Sequence, residues 1–299
     1  MKTKIFTLIA MALLSMSCNK ERSHEFWDSE YGNINVGYLA FQLVWDEHDD
    51  TLSTIDNVKI TASGADGFLK QYDFSSPGDA ADQLQQLPEG TYDLLVAVDM
   101  ADSNGYTLTQ SDTKNAANSL PLSIAALKDP SSSPRQSWFA TATATVKNNE
   151  ITIAKFALKR LLSMISIIID GAPDGTTITA TVSNVAQNVE LTTPRPSAES
   201  TDGISLGTAT AIDGILKIEN RTLLPTADGS DRATITLTTT EQGNTLVSTI
   251  DAPKMELGRY YELKLDYEKL SPYIHLTGND INDWQQDWTA DGEILNPAD

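Results

Sequence analysis

Cysteine is nearly absent from this sequence, and its absence limits the chemistry the chain can hold. The only cysteine among the 299 residues is Cys18, so the chain beyond it forms no disulfide and no thiolate zinc site. The three histidines, His24, His48 and His275, lie far apart and include no His-x-x-x-His pair. A zinc site would need ligands from distant loops, so we expect neither a metal nor a cofactor.

Sequence motifs of catalytic sites are weak. There is no Gly-Lys-Ser/Thr phosphate loop, and the one Gly-x-Ser-x-Gly match, Gly203 to Gly207, runs into a segment predicted as a strand, Ile204 to Thr210, instead of forming a strand-to-helix nucleophile turn. The run from Asp99 to Gly105 looks like a calcium loop, but its register places Met100 at the first ligand position and Ser111 at the twelfth. We interpret that run as a solvated turn and the chain as a non-enzyme. A hydrolase using two of the many carboxylates is the third class of function considered.

Basic residues are few. The chain has 21 Lys and Arg against 41 Asp and Glu, a net charge of −20, and loss of Lys2 and Lys4 with a signal peptide makes it −22. Nucleic acid and anionic lipid headgroups repel such a chain, so we expect neither as a partner. The acidity is typical of a protein that stays soluble at a crowded surface.

The first eighteen residues have the layout of a bacterial lipoprotein signal peptide. Two lysines precede an apolar run, Ile5 to Leu14, that is shorter than the roughly 20 residues a membrane span needs. Small residues then lead to Cys18, as in the lipobox that lipoprotein signal peptidase recognises, although Ser15 takes the usual place of leucine. We predict a signal peptide over residues 1–17 and acylation of Cys18, which attaches the chain to the outer membrane.

The residues after the signal peptide predict an all-β protein. Residues 18–35 are polar and aperiodic, which is typical of a tether. From Gly37 to Asp46, Leu39, Phe41, Leu43 and Trp45 alternate, so a strand places all four on one face. Further strands are predicted over Ile55 to Ala62, Tyr92 to Met100, Trp138 to Val146 and Ile151 to Leu158. The turn before Tyr92 contains Pro88 and Gly90.

Two segments of the first half depart from this simple strand pattern. Residues 101–137 contain no clear strand and are rich in Ser, Asn, Asp and Pro, with Leu120 to Leu127 as the only candidate helix; such long excursions are usually functional or disordered. Asn148 and Asn149 lie between two alternating segments and predict a β-hairpin.

The second half repeats short β-patterned segments. Leu161 to Ile169 is the most apolar stretch after the signal peptide, and its β-branched residues favour a strand over a helix, with Ile165, Ile167 and Ile169 facing a core. Strands are predicted over Thr176 to Ser183, Ile204 to Thr210, Ile215 to Asn220, Ala233 to Thr240, Thr245 to Asp251 and Tyr260 to Tyr267. This spacing predicts a β-sandwich. We place the domains at residues 36–159 and 160–299.

Several short patterns, in this order, resemble fimbrillin-type lipoproteins of Bacteroidales, the subunits and anchors of type V pili. The alternating strand that runs through Leu158-Lys159-Arg160 into the apolar strand ending at Ile169 is similar to that family's interdomain passage. The supporting segments are Leu87 to Tyr92, Leu223-Leu224-Pro225-Thr226, Leu257-Gly258-Arg259-Tyr260-Tyr261 and Ile281-Asn282-Asp283-Trp284. The resemblance covers nearly the whole chain, although no single segment is specific.

The resemblance implies two transthyretin-like β-sandwich domains and assembly with other pilus subunits by strand exchange, in which a neighbour's strand fills a groove. It also implies that polymerising subunits lose their first strand to a trypsin-like protease. The connection from Glu47 to Val58 contains no Lys or Arg, and Arg22 precedes the first strand. An uncut, lipid-retaining subunit is what an anchor looks like, so we expect an anchor or accessory subunit at the cell surface.

A glycan-binding surface lipoprotein of a polysaccharide uptake system is the alternative hypothesis. Trp284 and Trp288, with Asp280, Asp283 and Asp287 around them, have the residue types that stack on and hydrogen-bond to sugars. We interpret the tryptophans as the cover of one end of the sandwich.

Overall fold

A computed structural model describes residues 35–45, 55–114, 118–241, 244–269, 279–282 and 287–290. The fold is all-β, as predicted. One short helix, α1 (Pro77–Asp82), begins at Ser76, whose side chain accepts a hydrogen bond from the backbone N–H of Asp79. Three single-turn 3₁₀ helices lie at Ala65–Gly67, Asp102–Asn104 and Tyr267–Lys269. No helix among the described residues is long and apolar enough to span a bilayer.

Ten strands lie among the described residues of the N-terminal half. They are β1 (Val36–Val44), β2 (Val58–Ser63), β3 (Leu69–Phe74), β4 (Gln85–Pro88), β5 (Gly90–Val98), β6 (Tyr106–Lys114), β7 (Pro121–Leu127), β8 (Trp138–Val146), β9 (Ile151–Ala157) and β10 (Lys159–Arg160). A three-stranded sheet in the order β4-β1-β9 faces a five-stranded sheet in the order β10-β8-β5-β2-β3. Their facing sides share one core, in which Leu39, Ile60, Leu94 and Phe156 are fully buried.

The C-terminal half contains thirteen described strands. They are β11 (Ser163–Asp170), β12 (Thr177–Ser183), β13 (Val185–Ala186), β14 (Asn188–Glu190), β15 (Arg195–Pro196), β16 (Ser200–Thr201), β17 (Ile204–Thr210), β18 (Ile215–Leu223), β19 (Arg232–Glu241), β20 (Asn244–Pro253), β21 (Tyr260–Asp266), β22 (Asn279–Asn282) and β23 (Asp287–Ala290). The main sheets have the orders β18-β11-β21 and β17-β12-β19-β20. Ile165, Ile167 and Ile169 of β11 are buried between them, as predicted.

The same pairing pattern occurs in both halves. β1 lies between an antiparallel neighbour, β4, and a parallel neighbour, β9. β11 lies between antiparallel β18 and parallel β21 in the same way. The second sheets correspond as well, since β8-β5-β2-β3 in one half matches β20-β19-β12-β17 in the other. The topology is therefore an internal duplication.

The prediction for residues 101–137 was wrong. They contain two strands, β6 and β7, and the segment predicted as a helix lies largely in β7. Alternate residues of β7 are buried from Pro121 to Leu127, which is the two-residue period of a strand. The buried row includes Ser123 and Ala125. Because these side chains are small, the sequence shows no strong alternation of large apolar residues here, and the strand was not predicted.

The predicted hairpin at Asn148 and Asn149 was also wrong. The chain does turn there, with Asn149 at φ 57° and Glu150 donating its N–H to the carbonyl of Lys147. However, β8 pairs with β5 and β10, whereas β9 pairs with β1 in the other sheet. The turn therefore carries the chain from one sheet to the facing one.

Candidate functional site

The first-strand groove, which is the slot between β4 and β9 that β1 fills, is the candidate site. Residues 38–44 of β1 pair in parallel with residues 151–157 of β9, and residues 36–39 pair antiparallel with residues 85–88 of β4. Backbone hydrogen bonds close both ends, from Asn149 to the carbonyl of Val36 (2.8 Å) and from Leu158 to the carbonyl of Val44 (2.9 Å). β1 is thus a central strand paired on both sides.

The inward side chains of β1 form part of the core. Leu39 and Phe41 are 0% and 2% exposed, and Leu43 and Trp45 pack against the same core, as the alternation predicted. The Phe41 ring centroid lies 5.7 to 6.2 Å from those of three other aromatic rings, which are Tyr72, Phe74 and Phe156. Each large apolar side chain withdrawn from such a site costs about 1.5–3 kcal/mol.

Gly37 allows β1 to approach the turn between β8 and β9. A Cβ atom built at this position lies 2.1 Å from the carbonyl oxygen of Lys147. No larger residue fits without moving backbone. The start of the first strand is therefore specified by a single small residue.

A second feature is the bridging hairpin, formed by β6 and β7, which joins the two halves. β7 pairs with β14 of the C-terminal half, with Ala125 opposite Val189, so that β15-β14-β7-β6 is one sheet. Leu191 extends the pairing by donating its N–H to the carbonyl of Ser123. The apolar side of the hairpin lies in a core that also contains Phe139 of β8 and Ile165 of β11.

Asp93 fastens the hairpin to β5. Its carboxylate accepts hydrogen bonds from the backbone N–H and the hydroxyl of Ser119, both at 2.9 Å, and from the hydroxyl of Thr143 at 3.0 Å. Burial by itself raises the pKa of Asp93, but these hydrogen bonds outweigh it and hold the pKa below its ordinary value. The charged form is therefore the one that binds the hairpin.

This pKa shift predicts an acid-sensitive contribution to stability. A carboxylate whose pKa is lower in the folded chain than in the unfolded chain stabilises the fold above its unfolded pKa, and this contribution is lost as pH falls through its folded pKa. We expect Asp93→Asn to unfold with a weaker dependence on pH between about pH 2 and 5 than the parent. Urea unfolding at a series of pH values measures this, and equal slopes for the two proteins would contradict it.

The run from Asp99 to Gly105 is the predicted solvated turn only in part, because Asp102 and Ser103 are exposed whereas Asp99 and Met100 are buried. Asp99 is 1% exposed, adopts φ 58° and receives a hydrogen bond from the backbone N–H of Asp56 at 3.1 Å. The guanidinium of Arg135 lies 3.2 Å from Asp99 and 2.9 Å from Asp56. The cluster ties the start of the bridging hairpin to the segment before β2. Desolvation raises the pKa of Asp99 above its usual range.

The outward side of the sheet β17-β12-β19-β20 is a threonine face. Its threonines lie opposite one another across adjacent strands, as in the pairs Thr179 with Thr238 and Thr236 with Thr249. Two pairs join hydroxyl to hydroxyl, Thr179 with Thr208 at 2.8 Å and Thr177 with Thr210 at 3.0 Å. This face is rich in hydroxyl groups and largely uncharged, in contrast to the acidic chain as a whole.

Several residues singled out from the sequence lie outside the described residues. Cys18 and the three histidines are among them, so lipidation stays a prediction. The same is true of Trp284, while the strands β22 and β23 are described only as backbone pairs. Within the described residues, no group of three or more His, Cys, Asp or Glu side chains is arranged to hold a metal ion.

The described all-β fold is similar to that of solved adhesins and fimbrial proteins of Bacteroidales, which confirms the fimbrillin-type resemblance at the level of the fold. No family profile and no curated protein sequence matches it. The fold is similar to that of several solved structures, of which three are described next.

A candidate adhesin of Bacteroides thetaiotaomicron has 9% identity and a TM-score of 0.58, over 89% of this chain and 100% of that one. The fimbrial anchor protein Mfa2 of Porphyromonas gingivalis has 14% identity and a TM-score of 0.53, over 83% and 96%. A candidate polysaccharide-binding protein of Bacteroides thetaiotaomicron has 11% identity and a TM-score of 0.54, over 88% and 99%. At these identities the likeness concerns the fold.

Proposed function

We propose that this chain is a fimbrillin-like surface lipoprotein that serves as an anchor or accessory subunit of a type V pilus. It is a structural or adhesive protein without catalytic activity. Lipidated Cys18 attaches it to the outer membrane, and it contacts other pilus subunits by strand exchange. The fold shared with adhesins and with a fimbrial anchor protein supports this proposal.

The single observation that carries the anchor role is a first strand that pairs with β9 over residues 38–44 and with β4 over residues 36–39, and that no cleavage after Lys or Arg in the following connection can detach. β1 fills its groove with Leu39 and Phe41 buried. The connection from Glu47 to Val58 has no Lys or Arg. The next one, Lys59, lies in β2, which pairs with strands on both sides, and proteases cut such strands poorly because cleavage requires local unfolding.

We also propose two domains, residues 36–159 and 160–299. The duplicated pairing pattern supports this division, because each half has a complete pair of main sheets. The boundary between the two proposed domains falls inside β10, between Lys159 and Arg160. These two residues pair with Phe139 and Trp138. The bridging hairpin is then an interdomain element.

Chemical crosslinking and affinity capture of the chain from native outer membranes test the role in a pilus. We expect a polymeric fimbrial subunit among the captured proteins, and an N-terminus on the native chain at Cys18. Capture of no pilus subunit, or a native N-terminus after residue 54, would overturn the anchor proposal.

Lipidation has its own test. Cys18→Ala removes the only thiol that can be acylated, so we expect the variant to move almost completely from the membrane fraction to the soluble fraction. Cell fractionation and intact mass spectrometry measure the shift. Cys18→Ala protein that stays membrane-bound with an acyl mass would rule out the predicted anchor.

The threonine face favours a second candidate function, the capture of uncharged glycans. Hydroxyls in register across several strands can donate and accept hydrogen bonds with a hydroxyl-rich polymer. Glycan-array binding of the Cys18→Ala chain that is lost in Thr179→Lys would support this role. Crosslinking to a pilus subunit would favour the anchor role instead.

A further inference from the structure

Asn104 carries the side-chain amide of this chain that is most open to deamidation. The backbone nitrogen of the residue after an asparagine can attack the asparagine Cγ atom, and glycine leaves this attack unhindered because it has no side chain. Asn104-Gly105 is the only Asn-Gly pair among the 299 residues. Asn104 is partly exposed and ends a single-turn 3₁₀ helix, Asp102–Asn104, so little structure has to open before the reaction.

The same amide joins the turn before β6 to two acidic residues. The Nδ2 atom of Asn104 donates a hydrogen bond to a carboxylate oxygen of Asp56 at 3.2 Å and lies 3.5 Å from the backbone carbonyl oxygen of Asp99. This hydrogen bond is the largest influence that holds the pKa of Asp56 below its ordinary value. Asn104 is therefore a member of the cluster that Arg135 forms with Asp56 and Asp99.

We propose that Asn104 is a deamidation site whose conversion to a carboxylate releases the start of the bridging hairpin. The backbone nitrogen of Gly105 forms a bond to the Cγ atom of Asn104, the bond from Cγ to Nδ2 breaks, and ammonia leaves with the proton that Gly105 loses. Water then opens the resulting five-membered imide to aspartate or isoaspartate. The reaction needs no oxidant or reductant, and it does not depend on the proposed pilus role.

The product does not fit where the amide was. A carboxylate at position 104 has no N–H to donate, so it faces the Asp56 carboxylate as a like charge. Backbone hydrogen bonds of 3.2 and 3.4 Å from Gly105 and Tyr106 close the turn, and they form only one turn of helix. We expect the turn and the first residues of β6 to open locally while β7 stays paired with β14. Loss of ammonia makes this opening permanent.

Peptide mass spectrometry of the full Cys18→Ala chain, kept at mildly alkaline pH, tests the chemistry. Asn118 is the internal control, since it is also partly exposed but precedes serine. We expect Asn104 to convert at least about tenfold faster than Asn118, because the serine side chain hinders the attack. Asn104→Gln should keep its amide, since its side chain would have to close a larger ring. Equal conversion of the two asparagines, or an Asn104 that converts only in the urea-unfolded chain, would overturn the proposal.

Hydrogen exchange tests the structural consequence in a variant that imitates the product. In Asn104→Asp, the backbone N–H groups of residues 105–108 should exchange at least about tenfold faster than in the parent, while those of β9 stay unchanged. Asn104→Gln is the matched control, because its amide can still donate to Asp56. In the Asp56→Asn background the like charge is absent, so Asn104→Asp should have a smaller effect. Equal exchange in Asn104→Asp and Asn104→Gln would contradict the proposed release.

Discussion

A tryptic site placed between the first two strands will allow β1 to leave the fold. In Thr51→Arg, trypsin should cut the connection that has no Lys or Arg in the parent, so that β1 is held only by non-covalent contacts. Loss of β1 withdraws Leu39 and Phe41 from the core, which lowers the free energy of unfolding by about 3–6 kcal/mol at 1.5–3 kcal/mol for each side chain. Urea unfolding after limited digestion, with N-terminal sequencing, measures this.

The opened groove should accept a strand supplied from outside. A synthetic peptide of residues 36–45 carries the pairing backbone and the inward row of β1, so it should restore most of the lost stability. Thr51→Gln is the matched control and should keep β1 attached under the same digestion. If the parent chain lost β1 as readily as Thr51→Arg, the barrier to processing proposed for the anchor would not exist.

The bridging hairpin will tolerate a charge on one face and not on the other. Ala125 is fully buried opposite Val189, so Ala125→Asp places an unpaired carboxylate in the core. We expect a loss of about 3–5 kcal/mol in the free energy of unfolding, because a buried charge without a partner is strongly destabilising. Urea denaturation followed by tryptophan fluorescence and circular dichroism measures it.

The neighbouring residue provides the control. Ala126 lies on the opposite face of β7 and is partly exposed, so Ala126→Asp should change stability by less than about 1 kcal/mol. We expect this contrast because adjacent residues of a β-strand point to opposite faces of the sheet. Similar losses for the two variants would show that the hairpin does not pack as β7 does.

In Ala125→Asp, the two halves should also no longer unfold together as one cooperative unit. The hairpin pairs with β14 on one side and is fastened by Asp93 on the other, so it links the cores of both halves. Weakening it should split a single unfolding transition into two.

Local patterns in the sequence predicted most of the strands correctly. β1 and β11 were predicted because their buried residues alternate and are large, which gives a strong two-residue period. β17 was predicted with its exact limits, Ile204 to Thr210. The bridging hairpin was missed because its buried row contains Ser123 and Ala125, and no local rule separates small buried residues from small exposed ones.

The sequence by itself determined the all-β class, the faces of the strong strands, the lack of a tryptic site after β1 and the scarcity of metal-binding residues. The tertiary structure decided which strands pair. The turn at Asn149 has hairpin residues, yet it joins facing sheets because β9 finds its partner in β1, more than one hundred residues earlier in the chain. Pairing between distant segments depends on the summed burial and hydrogen bonding of the whole sandwich, and no local window of sequence contains that sum.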